Sequence, residues 1–455
     1  MGTGYKNRGS GAAGLGFKNR GAKLVEGAAY TNRGATDGVN EVFKNRGQAW
    51  GSDAYYNRGP NDFASLSVLG LAAFYAPLTH SLILTRGTGD PTYSRATKAW
   101  EFGYAADANA GADQVLIEVA TGTPRFGGAR YDSGTWYNTY ADGSAIAASS
   151  LLGYHSEGAR TNSLMDSRDL TNAAWAATNI TPAKTATGID NAANSASTLT
   201  AGAADATILQ TLALAAAARS FSAYVKRRTG TGSVYITRDG GTNWTDITSS
   251  LGASWTRVKI ENTSVLNPSV GFKIATSSDA IDVDVCQDEA GAFISSPIIT
   301  TSAAVTRNAD TLTYQIAGNF SHTSGTVLCN WGINYTGANL VHTPIAIQTD
   351  SNGYLIYVNQ TNTPTASRAY DGTIAITSIG TSRANSINMK SATAWESATM
   401  RHITSGAASV VSGAYDGSFG GGTTIGIGNA AAIYIKDTYI WPTALTDTQL
   451  QQVTA

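Results

Sequence analysis

The chain has 455 residues and a net charge of −1 at pH 7, and only 14% of its residues are charged. Without a strong overall charge, the composition excludes a protein that coats nucleic acid or another polyanion along its whole surface. The apolar fraction of 42% suffices for packed cores, and the abundance of Ala, Thr, Ser, Gly and Asn is typical of β-rich proteins outside cells or on particles.

A short motif occurs five times within residues 1–62: an aromatic residue, then Asn-Arg-Gly two positions later, every 12 or 13 residues. Such a segment cannot bury a core of its own. We therefore predict an extended arm that docks on other subunits. The docking residues are expected to be the aromatic and arginine side chains of each copy: Tyr5, Arg8, Phe17, Arg20, Tyr30, Arg33, Phe43, Arg46, Tyr55 and Arg58.

Two other interpretations of the arm remain open. It could be a spacer without a binding role. It could also bind nucleic acid, because arginines interleaved with aromatic rings can neutralise phosphates and stack on bases. Acidic residues are interspersed among the arginines, so nucleic acid is not the expected partner.

Residues 63–165 predict a β-rich connector, since short alternating stretches are broken by Gly and Pro, as in "ATGTPRFGG" at 120–128. The apolar run at 66–78 is too short and too interrupted to cross a membrane, so no membrane insertion is expected. The start of the chain lacks the long apolar run of a signal peptide, and export by another route is expected.

The rest of the chain predicts an all-β fold with two β-sandwich domains of the jelly-roll or lectin-like kind. Residues 166–310 contain regularly spaced alternating strands and glycine turns, as in "GSVYITRDGGTNWTDI" at 232–247. Residues 311–455 repeat this pattern and should fold as a domain of their own. A short C-terminal helix, with Thr446 as its N-cap, is predicted to cover the second sandwich.

Few residues suggest catalysis or metal binding. The five histidines show no metal-ligand spacing, and no nucleophile elbow or phosphate-binding loop occurs, so the protein is not expected to be an enzyme or to need a cofactor. Asp282 and Asp284 are weak candidates for Ca²⁺. Their alternation with apolar residues favours instead the solvent face of a strand.

Cys286 and Cys329 are expected to be buried strand thiols, although a disulfide between them stays open.

Aromatic residues of the second sandwich are the candidates for binding sugars. Exposed Trp and Tyr rings can stack on the C–H face of a pyranose, whereas buried rings serve the core. Trp441 belongs to a strand that closes the sandwich and is expected in the core. Trp331, Tyr335 and Trp395 are the predicted glycan-binding residues, Trp395 because its neighbours in "SATAWESATM" are polar.

Several motifs between residues 82 and 310 occur together and in the same order in another group of proteins. They are "LILTRGTGDPTYSRAT" (82–97), Pro124-Arg125-Phe126, "LLGYHSEGARTNSL" (151–164), "SRDLTNAAW" (167–175) and "QDEAGAFISSPIITTSAAVTRNAD" (287–310). This combination resembles a module of bacteriophage tail-fibre, tail-spike and head-fibre proteins. The ending "IYIKDTYIWPTALTDTQLQQVT" (433–454) resembles the closing strand and helix of concanavalin/laminin-G-like domains.

The resemblance implies a virion structural protein, exposed on the particle, with a carbohydrate-binding-module-like sandwich at 166–310 and a concanavalin/laminin-G-like sandwich at 311–455. Its expected partners are capsid or tail proteins, through the arm, and host surface glycans. Homo-oligomers are expected, with a trimer as the usual fibre state. Two alternatives stay open: a decoration protein that only stabilises the particle, and a glycan-degrading tailspike enzyme, whose paired carboxylates would hydrolyse the polymer.

Overall fold

The protein is described here by a computed structural model. The described residues are 68–333, 341–348, 354–359, 366–370, 375–379, 388–417, 419, 422–429 and 432–455. The predicted arm at 1–62, with all ten of its docking residues, lies outside them, and so does Tyr335. Within the described ranges no helix is long and apolar enough to span a membrane.

The described part begins with a helical turn at 68–70 and nine short strands. These are β1 (Phe74–Ala76), β2 (Thr92–Ser94), β3 (Ala99–Gly103), β4 (Val115–Val119), β5 (Phe126–Gly127), β6 (Arg130–Asp132), β7 (Thr135–Tyr137), β8 (Gly153–Ser156) and β9 (Arg160–Asn162). Strands β3 and β4 form one hairpin, and β6 and β7 form another.

The first sandwich consists of two five-stranded antiparallel sheets, in the orders β10-β13-β18-β15-β16 and β11-β12-β19-β14-β17. Its strands are β10 (Ala176–Thr178), β11 (Ile180–Ala186), β12 (Ala196–Ala201), β13 (Ala206–Thr211), β14 (Ala218–Thr229), β15 (Val234–Thr237), β16 (Thr245–Asp246), β17 (Thr256–Ser264), β18 (Ser269–Ile274) and β19 (Ala280–Ala290). A 3₁₀ turn lies at Thr248–Ser250, and β20 (Val305–Arg307) pairs with β9. Alternate side chains such as Phe221, Ile236 and Phe272 fill the core, as the period of two requires.

The second sandwich packs an eight-stranded sheet against a seven-stranded one. Its strands from the C-terminal part are β21 (Thr311–Gln315), β22 (Ser324–Gly332), β23 (Val341–Gln348), β24 (Tyr354–Asn359), β25 (Ala366–Tyr370), β26 (Ala375–Ile379), β27 (Met389–Glu396), β28 (Thr399–Thr404), β29 (Val411–Ala414), β30 (Thr424–Asn429) and β31 (Ile433–Trp441). The sheet orders are β29-β28-β27-β22-β31-β8-β5, with β1 also on β31, and β2-β21-β30-β23-β24-β25-β26. The prediction of an all-β fold with two sandwiches is therefore confirmed.

The second sandwich takes four strands from the region predicted as a connector. Strand β1 pairs with β31, β2 with β21, β5 with β8, and β8 with β31. Phe74 and Phe126, from this region, lie in the same core cluster as Ile433. The structure thus differs from a division in which 311–455 stands alone, because pairing between strands more than 200 residues apart leaves no local pattern in the sequence.

The C-terminal helix α1 (Asp447–Thr454) covers the outer face of the eight-stranded sheet, as predicted. Thr446 is its N-cap, and its hydroxyl accepts a hydrogen bond from the backbone of Gln449 in a capping box. Leu450 and Val453 pack with Leu328 and Trp441 in a separate apolar cluster. Trp441 is 1% exposed, so its expected core position is confirmed.

Both cysteines are free and buried, as the strand pattern predicted. Cys286 and Cys329 form no disulfide. Burial raises the pKa of both thiols, so neither is a reactive thiolate at neutral pH. They serve as small apolar side chains in two different cores.

We predict that residues 311–455 expressed alone will not fold as an intact sandwich. Without β1, β2, β5 and β8, two sheets lose edge or inner strands, and core side chains such as Ile433 lose their apolar partners. The measurement is thermal unfolding by circular dichroism, with residues 64–455 as the control, which should melt cooperatively. A cooperative transition of the 311–455 fragment would contradict this expectation.

Candidate functional site

The structure places two of the predicted sugar-binding rings in the core. Trp331 and Trp395 are both fully buried. The indole N–H of Trp331 donates to Ser391, and that of Trp395 donates to the carbonyl of Ser321. The expectation of exposed rings is therefore wrong for both. Polar neighbours in sequence misled it, because β27 is covered on both faces and its polar residues Ser391 and Thr393 are buried as well.

Asp282 and Asp284 are also buried, which corrects their expected position on a solvent face. Asp282 accepts a hydrogen bond from Thr198 at 2.7 Å, and Arg228 lies beside it. The guanidinium of Arg168 contacts both carboxylate oxygens of Asp284. Loops and the β3–β4 hairpin cover this face of β19. The polar and apolar residues that alternate along the strand therefore lie on two faces that are both buried. The described residues contain no group of acidic, His or Cys side chains placed to hold a metal ion.

A buried ionic cluster lies where the two sandwiches meet. Arg125 donates to Glu157 at 2.8 Å through Nη1 and to Asp310 at 2.5 Å through Nη2. Arg307 also donates to Glu157, and Arg95 donates to Asp310 at 3.0 Å. We call these five residues the ionic junction.

The ionic junction connects segments that are far apart in the chain. Glu157 follows β8 of the second sandwich, whereas Arg307 belongs to β20, which pairs with β9. Ser296, which follows the last strand of the first sandwich, donates to Glu157 and accepts from Arg125. Because buried charges are stable only when they are paired, this cluster fixes the positions of all these segments together.

The arginines of the ionic junction hold its two carboxylates ionised. Burial opposes ionisation of Glu157, but Arg307, His155 and Arg125 together hold its pKa well below the usual value. Burial likewise opposes ionisation of Asp310, and the neighbouring arginines lower its pKa. His155 lies between two carboxylates, with Nδ1 against Glu101 and Nε2 3.6 Å from Glu157.

The ionic junction leaves no room for a substrate. The notch beside it, lined by Glu157, Arg160, Phe293, Ser295 and Arg307 among others, has a volume of about 20 Å³. That space holds about one water molecule. The cluster therefore has a structural role.

Asn162, within the motif "LLGYHSEGARTNSL" at 151–164, also connects backbone segments. Its amide N–H₂ donates to the carbonyls of Cys286 and Ile298, and its oxygen accepts from the backbone of Leu164. Arg160 stacks over the ring of Phe293 at 4.4 Å rather than pairing with Glu157. The motif residues thus hold loops together.

The outer face of the first sandwich's β10-β13-β18-β15-β16 sheet carries an aromatic pair. Tyr235 points outward because its neighbours Val234 and Ile236 point into the core. Lys273 lies opposite Tyr235 on β18, and its Nζ is 4.5 Å from the centre of the tyrosine ring. The same Nζ is 5.1 Å from the centre of the Trp244 ring. Two half-buried rings thus flank one lysine on this sheet.

The turn between β15 and β16 holds Trp244 in place. Asp239 accepts hydrogen bonds from the backbone and side-chain nitrogens of Asn243 at 2.9 and 2.6 Å. Burial opposes its ionisation, but these bonds and one from Thr237 lower the pKa of Asp239. Gly241 has φ of +94°, and a Cβ there would lie 2.9 Å from the Trp244 ring, so only glycine lets the indole lie against this turn.

The two outer faces of the first sandwich differ in what covers them. The β3–β4 hairpin packs on the face of the β14 sheet, where Tyr224, Leu116 and Val285 share an apolar cluster. As far as the described residues go, the elements in substantial contact with the β18 sheet all belong to the same sandwich. We call the outer face with Tyr235, Trp244 and Lys273 the open face.

The residues of the open face were missed in the sequence, although signals for them exist. Tyr235 alternates with two core residues in "SVYIT", and Trp244 follows the double glycine of "DGGTNW". A large ring at an outward position of a strand, beside a second ring in an adjacent turn, is the pattern that would have identified the pair.

Comparisons with known proteins give little for this chain. No protein-family model matches it, and no curated protein matches it. Among solved structures it is similar to the N-terminal CBM22-1-CBM22-2 tandem domain of Xyn10C from Paenibacillus barcinonensis, with 10% identity and a TM-score of 0.22. That match covers 64% of this chain and 99% of the other. At so low a TM-score the likeness establishes neither a shared fold nor a shared ligand.

We predict that the Glu157→Gln variant loses about 3–5 kcal/mol of unfolding free energy at neutral pH, because Arg125 and Arg307 lose a buried partner. The folded pKa of Glu157 is depressed. The stability that its charge contributes is therefore present above the unfolded pKa of about 4.3 and is lost as pH falls through the folded pKa. Urea denaturation over a pH series should show a smaller loss on acidification for the variant than for the wild type.

Glu118→Gln is the matched control, since Glu118 pairs with Lys98 on the surface. That variant should change the unfolding free energy by about 1 kcal/mol or less. Equal effects of the two substitutions would show that the ionic junction does not stabilise the fold.

Proposed function

We propose that the protein is an adhesion subunit of a bacteriophage particle, and that the open face of its first sandwich binds a glycan on the host surface. The observation that carries the proposal is the pair of half-buried rings, Tyr235 and Trp244, on a sheet face that the described chain leaves uncovered. Catalysis is not part of the proposed role.

The chemistry of the open face suits a sugar. Tyr and Trp combine an apolar ring face with a polar tip, so they can contact C–H groups and hydroxyls of the same ligand. Both rings are fixed, Tyr235 by its strand and Trp244 by its turn, so little conformational entropy is lost on binding. Lys273 adds a hydrogen-bond donor between them.

The central strand of the open face also carries a glycine. Gly271 lies two residues before Lys273 on β18, opposite Leu209 on β13 and Thr237 on β15, and contributes no side chain. An uncovered sheet face with two rings suits an extended chain of sugars, whereas a deep pocket would favour a single small molecule.

The place on a particle is proposed from the sequence. The motifs between 82 and 310 resemble motifs of fibre and spike proteins. The five copies of the aromatic/Asn-Arg-Gly motif at 1–62 fit a partner surface that itself repeats. Several weak contacts on one chain gain affinity through effective concentration. We propose a homo-oligomer, with a trimer as the expected state, displayed on the exposed surface of the virion.

We predict that Tyr235→Ala and Trp244→Ala each weaken glycan binding about tenfold, because a ring that becomes fully buried by the ligand contributes on the order of 1.5 kcal/mol. The measurement has two steps. A glycan array first identifies a ligand of the wild-type protein, and calorimetric titration then compares the variants.

Tyr137→Ala is the matched control, because Tyr137 is also a partly exposed tyrosine that packs against a cation, Arg130, but lies on a different hairpin. It should bind as the wild type does. Binding that all three variants retain would remove the open face from the site. A wild-type protein that binds no glycan would favour a purely stabilising decoration protein, and release of reducing ends would reveal an enzyme.

We predict that deletion of residues 1–62 leaves both sandwiches folded but removes the protein from particles. Arg33→Ala should lower the amount of the protein on particles only modestly, because four other copies of the motif remain intact. The measurement is the amount of this protein in purified particles, by quantitative mass spectrometry. A full complement of the deleted form would mean that the repeats are a spacer.

A further inference from the structure

We infer that the open face selects neutral glycans and discriminates against acidic ones such as uronate-containing or sialylated polymers. This inference rests on the proposed function. It follows from the charges around the aromatic pair: Lys273 is accompanied by three carboxylates, those of Asp205, Asp239 and Asp246.

Asp246 is the carboxylate nearest to the aromatic pair in the register of the sheet. It lies directly opposite Tyr235 in the β15–β16 pairing, so both side chains leave the sheet on the same side. It is exposed, and hydrogen bonds from the side chain and backbone of Thr248 lower its pKa. Asp246 is therefore ionised at neutral pH and accessible to a ligand beside the Tyr235 ring.

Asp205 lies on the other side of Lys273. It precedes β13, its side chain is 71% exposed, and one of its oxygens lies 3.6 Å from Lys273 Nζ. This contact is longer than a hydrogen bond, so the carboxylate keeps free lone pairs toward solvent. It also offsets the single positive charge of the open face.

Asp239 adds a third negative charge in the turn that holds Trp244. Its oxygens are occupied by Asn243 and Thr237, so it contributes charge rather than a contact. The one arginine in this turn, Arg238, donates to the buried Asp288 and does not offset the three carboxylates. With one cation and three anions, the face has a local net charge of −2.

This arrangement has opposite consequences for two classes of glycan. The hydroxyl groups of a neutral sugar can donate to Asp205 and Asp246, while its ring stacks on Tyr235 or Trp244. A carboxylate in each repeat of an acidic polymer would be repelled by the same two carboxylates, and the charge of Lys273, the one cation beside them, is already offset by Asp205. At about 8 Å in water, the repulsion between one carboxylate of the ligand and the two net negative charges of the face weakens binding by about fivefold.

The test is an array of neutral oligosaccharides printed beside their C6-oxidised, uronate-containing counterparts. The wild-type protein should bind its neutral ligand at least about fivefold more tightly than the oxidised form at low salt, and the difference should shrink toward about 0.5 M salt. The Asp205→Asn/Asp246→Asn double variant, which alters only exposed side chains, should bind both forms to a similar extent. Asp113→Asn, an exposed carboxylate before β4, is the control and should keep the wild-type preference.

The outcomes separate this inference from the proposed function. Equal or tighter binding of the oxidised counterparts, lost in Trp244→Ala, would overturn the charge selection and leave the glycan site intact. A preference for neutral sugars that the double variant retains would also overturn it, because the selection would then come from elsewhere. The absence of binding to any member of the array would contradict both.

Discussion

The ion pairs of Arg125 with Glu157 and Asp310 are the interaction on which the rest of the structure depends. All three side chains are 4% exposed or less, so each charge is stable only while the others are in place. Arg125 comes from the connecting region, Glu157 directly follows β8 of the second sandwich, and Asp310 lies in the loop between the sandwiches. The cluster therefore sets the position of the first sandwich, and the orientation of its open face, relative to the second.

This cluster gives a physical reason for several sequence motifs between residues 125 and 310. The Glu of "SEGARTN", the Arg of "TPRF", and the Arg and Asp of "TRNAD" are separate in the chain and form one network in the fold. Asn162, of the first motif, joins three backbone segments beside it. These motifs thus join the two sandwiches, and the rings of the open face lie outside them.

The sequence predicted the features that depend on local patterns. Alternating apolar residues predicted the strands of both sandwiches, and Thr446 predicted the start of the helix. The position of Trp441 in the closing strand predicted that it lies in the core. It could not predict long-range pairing, such as β1 with β31, because the partners share no local signal. It also misplaced Trp395 and Asp284, since neither polar neighbours nor alternation tells what packs on a given face of a strand. A hairpin or a helix that covers an outer face turns polar positions into buried ones, as the β3–β4 hairpin and α1 do.

The central claim is that the open face binds a glycan through Tyr235 and Trp244. A crystal structure of the protein with the tightest ligand from a glycan array tests it most directly. The account predicts a sugar ring stacked on at least one of the two aromatic side chains, with a hydroxyl group in hydrogen-bond contact with Lys273, Asp205 or Asp246. A sugar bound on another surface, with the open face unoccupied, would contradict it.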